Sequence, residues 1–401
     1  MSSLRILYSC PLDPLKYAAP GQHVTSVVRE LALRGHEMTL IHPGERLPSI
    51  ELTKQYPLDL KKNRWVGRLL QDTQYAVGLV KILRRKKYDC VYHRFQKWSV
   101  VPLMLFKLFK VPVVLELNAD NRAELISLNY SIIVRKLYPI SEYIQVRLAT
   151  KIVVVSEGIG KSLAKNTPAV KNKIYVIENG ANTEYFFPRD RDLACTTQGL
   201  DPGKKYVTFS GTFQPWQGLE TLLNAAQDVV ESVSDAHFIL IGDGRQRATI
   251  ERLIKHKNLE SVVTLTGWLQ PEAVAQYLAA SDVCVAPYSM LAALDPAKAK
   301  TNWRSSLMKC SPLKIYTYMA MGKPVVASGF LDGGERLVQW KAGMAFEPEN
   351  ASELATSLIA ILRDKELRDR LGARAIERVN LEHTWASVTE KIDRLCLSDI
   401  G

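Results

Sequence analysis

Short apolar runs alternate along this chain with amphipathic segments of helical period. The runs are rich in Val and Ile, as buried strands are, and the segments between them gather apolar residues on one helical face. In the first such segment the apolar face comprises Val24, Val27, Val28 and Leu31. Gly35 supplies the C-terminal cap of this helix. The alternation predicts strand–helix–strand units around parallel sheets, and therefore an α/β fold.

The pattern occurs as two series of strands. The first series comprises Leu4–Tyr8, Glu37–Ile41, Asp89–Tyr92, Val113–Leu117, Lys151–Val155 and Ile174–Ile177. The second comprises Tyr206–Phe209, Phe238–Ile241, Val262–Leu265, Asp282–Ala286 and Pro324–Ala327. Residues 188–204 between them are polar and rich in turn-forming residues, which favours a linker. The sequence thus predicts two doubly wound domains, with a ligand in the cleft beyond the carboxyl ends of their strands.

The composition agrees with this architecture. A chain of 401 residues is long enough for two domains of about 200 residues. Hydrophobic residues make up 47% and charged residues 23%, a balance that excludes an intrinsically disordered protein. The six cysteines form no Cys-x-x-Cys pair, which is typical of reduced thiols in a cytosol. Without a visible secretory signal or spanning segment, we expect a cytoplasmic protein.

The net charge of +12 is concentrated between Lys61 and Lys97. This segment has eleven Lys or Arg residues against two Asp residues, and Trp65 and several aliphatic residues are interleaved with the charges. Such a composition suits helices on an anionic membrane, so residues 61–97 are a candidate for peripheral attachment to its inner face. A solvated basic helix face is the alternative. Nucleic acid is not expected as a partner, because no nucleic-acid-binding motif accompanies the charge.

Glycine-containing turns follow several predicted strands and allow the backbone to approach a ligand closely. They include Gly211, Gly242 and Gly244, and we place Gly21 with Gln22 in a similar turn near the N-terminus. None of these turns forms a Gly-x-Gly-x-x-Gly fingerprint or a Walker loop, which disfavours NAD enzymes and ATPases.

The segment Ser311–Pro324 predicts a short helix before a strand. Ser311 is a candidate cap, Pro312 is favoured at the first helical position, and Gly322 ends the helix. A helix N-terminus with Lys314 one turn inside it is a candidate site for a diphosphate.

Taken together, these motifs resemble the retaining GT-B glycosyltransferases of family 4 (group 1). The resemblance extends over nearly the whole chain and is carried by Gly21–Val24, Arg34–Glu37, Val154–Glu157, Asn179–Asn182, Phe209–Gly211, Trp216–Leu219, Ile241–Gly244, Ala286–Tyr288 and Ser311–Ala327. Tyr92–Arg94 and Leu115–Asn118 also resemble segments of the family's N-terminal domain. The resemblance implies two Rossmann-like domains facing across a cleft, glycosyl transfer with retention, and no metal requirement.

The resemblance also implies a division of labour between the domains. Residues 1–187 are expected to bind the acceptor, and residues 205–383 the nucleotide sugar. A C-terminal helix in residues 384–401, starting at Trp385, is expected to return to the first domain. The expected donor is a UDP or GDP sugar with no further cofactor, and the expected acceptor is a glycan or a lipid-linked molecule.

Positions that match the family's motifs give the candidate site residues. The catalytic candidates are Asn118, Glu116 and Lys314, and the acceptor-side candidates are His23 and Arg94. The donor-binding candidates are Gly21, Gln22, Gly211, Thr212, Gln217, Gly242, Gly244, Ser311, Pro312, Leu313, Lys314 and Thr317. No metal ligands are expected.

The chain departs from the family pattern around the donor phosphates. Thr212 and Gln217 stand where the family often has an arginine and a lysine. Lys309 and Thr317 stand where it has paired glutamates. Lys314 with its helix N-terminus is then the nearest candidate for the stabilising charge. Three activities stay open: transfer, binding without transfer by a catalytically impaired paralogue, and epimerisation of a sugar nucleotide on the same architecture.

Overall fold

The computed structural model describes residues 3–16, 18–48, 50, 53–59, 67–127, 130–289, 313–329 and 332–398. The chain divides into two compact units. The first consists of Met1–Asn179 and Trp385–Gly401, and the second of Gly180–Thr384. Each unit contains one parallel sheet with helices on both faces, which confirms the predicted α/β class.

The sheet of the first unit has seven strands. They are β1 (Arg5–Ser9), β2 (Glu37–Pro43), β3 (Lys54–Leu58), β4 (Cys90–Arg94), β5 (Val113–Leu117), β6 (Lys151–Val154) and β7 (Ile174–Val176). Their order is β3-β2-β1-β4-β5-β6-β7, and each neighbouring pair is parallel. Strands β4 and β5 are buried along their whole length because helices cover both faces of the sheet.

The helices of this unit lie on opposite faces of the sheet. They are α1 (Ala18–Leu33), α2 (Gly67–Arg85), α3 (Val101–Leu108), α4 (Asn121–Ser127), α5 (Ile132–Leu148) and α6 (Glu157–Asn166). Leu115 on β5 packs in one cluster with Leu103 on α3 and Tyr138 on α5. Successive strand residues point to opposite faces, so Glu116 points to the face that α1 covers, where it meets His23.

The second unit has a six-stranded parallel sheet. Its strands are β8 (Lys205–Ser210), β9 (Ala236–Ile241), β10 (Val263–Gly267), β11 (Val283–Ala286), β12 (Val325–Ser328) and β13 (Gly343–Phe346). Their order is β10-β9-β8-β11-β12-β13. From β8 the chain continues through β9 and β10 on one side of the sheet and then through β11, β12 and β13 on the other side. Such a switch in direction opens a crevice at the carboxyl ends of the strands.

Two apolar clusters join the helices of the second unit to the two faces of its sheet. The helices are α7 (Arg191–Thr197), α8 (Leu219–Ser232), α9 (Arg247–His256), α10 (Pro271–Ala280), α11 (Leu313–Ala320), α12 (Asp332–Gln339), α13 (Ala351–Arg363) and α14 (Lys365–Glu382). Residues of α7, α10, α11 and α14 pack together on one face. Residues of α8, α9 and α13 pack on the other.

The C-terminal helix α15 (Trp385–Leu397) packs within the first unit. Asp393 on this helix accepts a hydrogen bond from Nε2 of His36 at 2.9 Å, and both side chains are buried. Lys151 Nζ donates to the carbonyl oxygen of Leu395 at 2.7 Å, and Arg34 donates to that of Ala386 at 3.0 Å. The helix is therefore attached to the first unit by polar contacts at three separate points.

The segment predicted as a linker is instead part of the second unit. Residues 188–204 contain helix α7, which Asp190 caps by accepting a hydrogen bond from the Leu193 amide at 2.7 Å. Ala194 and Cys195 on this helix are buried in the core. The prediction was wrong because seven residues are too few for a helical period to stand out among polar neighbours.

The basic segment was predicted to lie on a membrane through its interleaved apolar residues. Residues 60–66 lie outside the described part of the chain, and α2 accounts for Gly67–Arg85. Tyr75, Leu79 and Ile82 on α2 pack in the core, so they cannot contact a lipid surface. These three residues are therefore not available to lipid, whereas Val77, Arg84 and Arg85 of α2 are exposed, and the membrane attachment of residues 61–97 stays a prediction.

No helix in the described part of the chain combines the length and the apolar character that crossing a bilayer requires.

Candidate active-site residues in the two units

In the first unit, charged side chains meet near the carboxyl ends of three neighbouring strands. Arg94 on β4 pairs directly with Glu116 on β5 in the sheet register, and Tyr8 on β1 lies on the same face. His23 reaches this group from α1. Glu116 is 1% exposed, His23 4% and Arg94 6%. The sheet and the helix thus place one carboxylate and two basic groups in a buried cluster.

The Glu116 carboxylate is compensated inside this cluster. One oxygen contacts Nε2 of His23, and the other lies 3.8 Å from Nη1 of Arg94. The Tyr8 hydroxyl donates to the second oxygen at 3.5 Å. Burial opposes the ionisation of Glu116, but the neighbouring His23 and Arg94 outweigh it and hold the pKa of the carboxyl below its ordinary value. A carboxylate in this state is a weak proton acceptor.

His23 is fixed on its other side as well. Its Nδ1 lies 3.0 Å from Oδ1 of Asn179, so each ring nitrogen faces an oxygen atom. The ring also meets Trp385 edge to face at a centroid distance of 5.0 Å. Asn118 follows β5 at the sheet edge and is half-buried. Of the predicted residues in this unit, His23, Arg94 and Glu116 form one cluster, and Asn118 lies directly after it in sequence.

Gly21 and Gln22 do not occupy the turn that the sequence predicted. Both lie inside α1. A Cβ atom at Gly21 would lie 2.2 Å from the carbonyl oxygen of Pro14, so the glycine allows the turn at Pro14–Lys16 to pack against the helix. The prediction was wrong because helix α1 already begins at Ala18. Pro20 therefore lies in the first turn of the helix, where a proline is tolerated.

In the second unit, the loops after β8 and β9 approach each other backbone to backbone. Gly242 has φ +132°, and a Cβ atom there would lie 2.0 Å from the carbonyl oxygen of Gly211. The Gly211 amide donates to the Ile241 carbonyl oxygen at 3.0 Å, and the Phe213 amide donates to the backbone carbonyl oxygen of Asp243 at 2.8 Å. Only glycine fits at position 242, so the two loops are held close together at the sheet edge.

The loop after β11 packs against the same assembly. Gly218 has φ +69°, and a Cβ atom there would lie 1.6 Å from the carbonyl oxygen of Pro287. The Ser289 amide donates to the Trp216 carbonyl at 3.0 Å. Gln217 is buried between these contacts, whereas Thr212 is exposed. The two positions at which the family often has cations therefore differ in environment.

Lys314 on α11 extends its ammonium group into this assembly. Its Nζ donates a hydrogen bond to Oε1 of Gln217. It lies 4.0 Å from the ring centroid of Phe209 and 5.0 Å from that of Tyr288. A Cβ atom at Gly211 would lie 2.9 Å from this nitrogen. The lysine from the later helix thus reaches the loop that carries positions 211 and 217.

The described groups around Lys314 carry no charge. Burial lowers the pKa of its ammonium group well below the ordinary value. No carboxylate among the described residues forms an ion pair with it, and the cage consists of two rings and an amide. The rings attract a cation through their faces, but they do not neutralise it. An anion that enters this site would supply the missing opposite charge.

Tyr318 joins α11 to the end of β8. Its hydroxyl accepts a hydrogen bond from the Ser210 amide at 2.8 Å, and it donates to the Ser210 carbonyl at 3.3 Å. Sequence reasoning missed this residue, and also missed Phe209 and Tyr288 beside Lys314. Tyr288 and Tyr318 are in segments that carried the family resemblance, so their motif context was the available signal.

The other donor-side candidates have the following positions. Leu313 is the first described residue of α11, and Thr317 donates a hydrogen bond to its carbonyl oxygen at 3.1 Å. Gly244 packs against the backbone of Phe213. Ser311 and Pro312 lie outside the described residues, as does Lys309. Among the described residues, no group of three or more His, Cys, Asp or Glu side chains is placed to hold a metal ion.

Comparison with known proteins adds to this geometry. A family model described as "Glycosyl transferases group 1" matches residues 204–364, and one described as "Glycosyltransferase Family 4" matches residues 20–185. The sulfoquinovosyl transferase SQD2 of Arabidopsis thaliana is 26% identical over 72% of this chain, which spans 52% of that relative's length.

Two further similarities cover more of both proteins. The UDP-Gal:alpha-D-GlcNAc-diphosphoundecaprenol alpha-1,3-galactosyltransferase of Escherichia coli is 24% identical, over 75% of this chain and 73% of its own. The crystal structure of Anabaena HepE in complex with UDP superposes with a TM-score of 0.73 at 16% identity. This superposition covers 98% of this chain and 100% of that one.

Proposed function

Because the chain belongs to the group 1 glycosyltransferases and has the GT-B fold, we propose that it transfers a sugar from a nucleotide-sugar donor to an acceptor hydroxyl group. We propose further that the second unit binds the donor and the first unit the acceptor. The reaction proceeds with retention at the anomeric carbon, and no metal ion takes part.

The observation that carries this proposal is the ammonium group of Lys314, which forms no ion pair with any residue that the structure describes. It lies at the carboxyl edge of a parallel sheet, beside the glycine-containing loops after β8 and β9. A departing nucleoside diphosphate is the anion that glycosyl transfer produces at such an edge. In the proposed reaction Lys314 binds the diphosphate and stabilises the negative charge that develops on it. The amides near Ser311 to Leu313 reinforce this binding.

The donor in this proposal is a UDP or GDP sugar. HepE, which has the same fold, was crystallised with UDP. Gly211, Gly242 and Gly244 bring the loops after β8 and β9 close to Lys314, and Gln217 orients its ammonium group. Thr212 is exposed, and it can donate a neutral hydrogen bond to the donor.

The proposed acceptor side is the cluster around Glu116. Its carboxylate positions His23 and Arg94 rather than taking a proton from the acceptor, because its lowered pKa makes it a weak base. Asn118, at the sheet edge beside this cluster, is the residue that we propose contacts the transferred sugar. The acceptor is a glycan or a lipid-linked molecule, in the cytoplasm or at the inner face of a membrane. The name of the Escherichia coli relative specifies a diphosphoundecaprenol acceptor for that protein.

A screen of nucleotide sugars by thermal shift tests the donor part of this function. A ligand that binds the folded state at 100 times its Kd stabilises the protein by about 2.7 kcal/mol. We expect one UDP or GDP sugar to raise the unfolding temperature of the wild type, and to raise that of Lys314→Met much less. Failure of every nucleotide sugar to raise it would contradict the proposed donor site.

The neutral side chains of Thr212 and Gln217 favour one second candidate function, binding of a nucleotide sugar without transfer. Product analysis separates the two functions. A transferase releases nucleoside diphosphate from the stabilising donor by transfer or slow hydrolysis, whereas a binding protein returns the donor intact. Release of the diphosphate that Lys314→Met abolishes would exclude the binding function. Epimerisation is disfavoured, because Glu116 is buried with a lowered pKa and is poorly suited to acid–base work.

A further inference from the structure

Helix α3 of the first unit carries an apolar face that points away from the core. Val101, Met104 and Leu108 follow each other at spacings of three and four residues, which places them on one side of the helix. All three are exposed, and Leu108 most of all, at 74%. The core side of the helix is formed by Leu103 and Phe106. Helix α3 is therefore apolar on both sides, although only one side is covered.

Helix α5 has the same property over most of its length. Its exposed apolar residues are Ile132, Ile133, Leu137, Ile140 and Tyr143. Ile133, at 66% exposed, shares one helical face with Leu137 and Ile140, at spacings of four and three residues. The buried side of the helix faces the sheet through Tyr138 and Val146.

The two helices that carry these exposed faces contact each other. Leu103 of α3 and Tyr138 of α5 belong to one cluster on one face of the sheet. Trp98, just before α3, meets Tyr138 edge to face at a centroid distance of 5.7 Å. Gln145 on α5 donates a hydrogen bond to the Gln96 carbonyl at 3.2 Å. Adjoining apolar faces of this kind mark binding surfaces, because isolated soluble proteins rarely leave large apolar patches exposed.

The charges on these helices all have one sign at the surface. Helix α3 has no acidic residue, and the one acidic residue of α5, Glu142, is buried and paired with Arg122. The exposed cations of this region are Lys107, Lys110, Lys136 and Arg147. Helix α2 contacts α3 and adds the exposed residues Lys81, Arg84 and Arg85. Apolar side chains are thus surrounded by positive charge without an exposed carboxylate on α3 or α5.

We propose that this surface, the α3–α5 face comprising the exposed residues of helices α3 and α5, docks on an anionic lipid bilayer. Apolar side chains on a helix lying in the bilayer interface insert below the headgroups, and Lys and Arg around them attract anionic lipid. A bilayer fits both properties at once. The attachment site in this proposal therefore lies mainly on α3 and α5, and the exposed cations of α2 add charge beside it. This inference does not depend on the proposed sugar transfer.

Sedimentation with lipid vesicles tests the proposal on the full chain. We expect the protein to pellet with vesicles of phosphatidylglycerol and phosphatidylcholine, and to pellet less as salt is raised from about 0.1 M to about 1 M, where the Debye length falls to about 3 Å. Vesicles of phosphatidylcholine alone should bind much less. Equal pelleting with both kinds of vesicle, or with neither, overturns the proposal.

Substitutions separate the α3–α5 face from other surfaces. L108S/L137S and K107E/K136E should each weaken binding to anionic vesicles by about tenfold or more, because each pair removes interfacial contacts or charge. The matched control is L193S/L381S, which changes two leucines of the second unit that are 67% and 65% exposed. This control should bind as the wild type does. All of these positions are exposed, so equal unfolding temperatures will show that the variants are folded.

Two results would assign the surface differently. If R84E/R85E abolished vesicle binding while L108S/L137S left it unchanged, α2 would be the attachment site and the proposal would be wrong. Light scattering provides the second result. A dimer that L108S/L137S converts to a monomer, together with no vesicle binding by the wild type, would show that a second copy covers this face and would overturn the lipid assignment.

Discussion

Each unit places a charged side chain at the carboxyl edge of a parallel sheet, but among the described residues only the charge of the first unit meets an opposite charge. In the first unit, the Glu116 carboxylate lies between His23 and Arg94. In the second, the Lys314 ammonium group lies between two aromatic rings and the amide of Gln217, with no ion pair to any described residue. Burial of a charge costs free energy unless an opposite charge compensates it.

This difference indicates what each site requires. The charges of the cluster in the first unit compensate one another without a ligand, so they maintain the shape of the site that we propose binds the acceptor. In the function proposed above, an anion completes the site of the second unit. In this proposal the anion is a nucleoside diphosphate, and Lys314 of α11 supplies a cation in place of the arginine and lysine that the family often has at positions 212 and 217.

The largest effect is expected from Glu116→Gln. It leaves His23 and Arg94 buried without their carboxylate, and breaking a buried ion pair costs about 3 kcal/mol or more. We therefore expect the free energy of unfolding in urea to fall by about that amount. The matched control is Glu142→Gln, since burial raises the pKa of Glu142 and its partner Arg122 is partly exposed. An effect of Glu116→Gln no larger than that of the control would show that the first cluster is not balanced as described.

The cluster around Glu116 predicts how the free energy of unfolding changes at acidic pH. The pKa of Glu116 is lower in the folded protein than its ordinary value, so the unfolded chain takes up more protons as the solution becomes acidic. The stabilisation is present above the ordinary pKa of about 4.3 and is lost as the pH falls through the folded value. Urea unfolding between about pH 7 and pH 3 should show a shallower acid loss for Glu116→Gln than for the wild type. Parallel curves would contradict this.

Donor binding should weaken as the pH rises, whereas the stabilisation by Glu116 is lost as the pH falls. The pKa of Lys314 is lowered in the free protein, and a bound diphosphate favours the protonated form. Above the free pKa, binding must therefore take up a proton, so affinity falls by up to about tenfold for each pH unit. A nucleotide sugar suits this measurement because its diphosphate carries no terminal phosphate, whose second pKa is about 6.

Isothermal titration in buffers of different ionisation enthalpy measures this proton uptake directly. Lys314→Met should abolish the uptake and the slope with pH. If the variant keeps the slope of the wild type, another group titrates on binding, and the comparison between the two units loses its basis.

A smaller effect is expected from Tyr318→Phe. The substitution removes the hydrogen bonds to the Ser210 backbone and leaves the buried amide without that acceptor, which costs about 1 kcal/mol. Because Ser210 precedes Gly211, we expect donor affinity to fall by about fivefold. Tyr185→Phe changes an exposed tyrosine of the same unit and should leave affinity unchanged. Equal affinities for Tyr318→Phe and the wild type would show that this contact does not position the loop.

The sequence predicted the strands that are buried on both faces, because uninterrupted apolar runs mark them clearly. It missed β3 and β13, the first and last strands in the order of their sheets. Strand β3 contains Pro57 and is largely half-exposed, and β13 has four residues beginning with Gly343. Short or proline-containing edge strands give no clear alternation or apolar run.

The candidate sites were predictable only in part. Glu116 and Lys314 could be found, because each lies in a motif with a specific context. Their partners come from distant segments: Phe209, Gln217 and Tyr288 around Lys314, and His23 beside Glu116. Spacing in the sequence does not show contacts of this kind, which depend on how the strands are ordered in the sheet. The α3–α5 face was likewise missed, because an apolar helix residue looks the same in sequence whether it is buried or exposed.

The measurement that tests the central claim most directly is the affinity of the stabilising nucleotide sugar for Lys314→Met and Lys323→Met. Lys323 is a second half-buried lysine of the same unit, burial lowers its pKa as well, and it donates to the Ala279 carbonyl at 2.6 Å. Loss of a charge-assisted hydrogen bond costs about 1.5 to 3 kcal/mol, so Lys314→Met should bind at least about tenfold more weakly than the wild type. Lys323→Met should bind as the wild type does. Equal affinity of Lys314→Met and the wild type would contradict the assignment of the second unit as a diphosphate site built on Lys314.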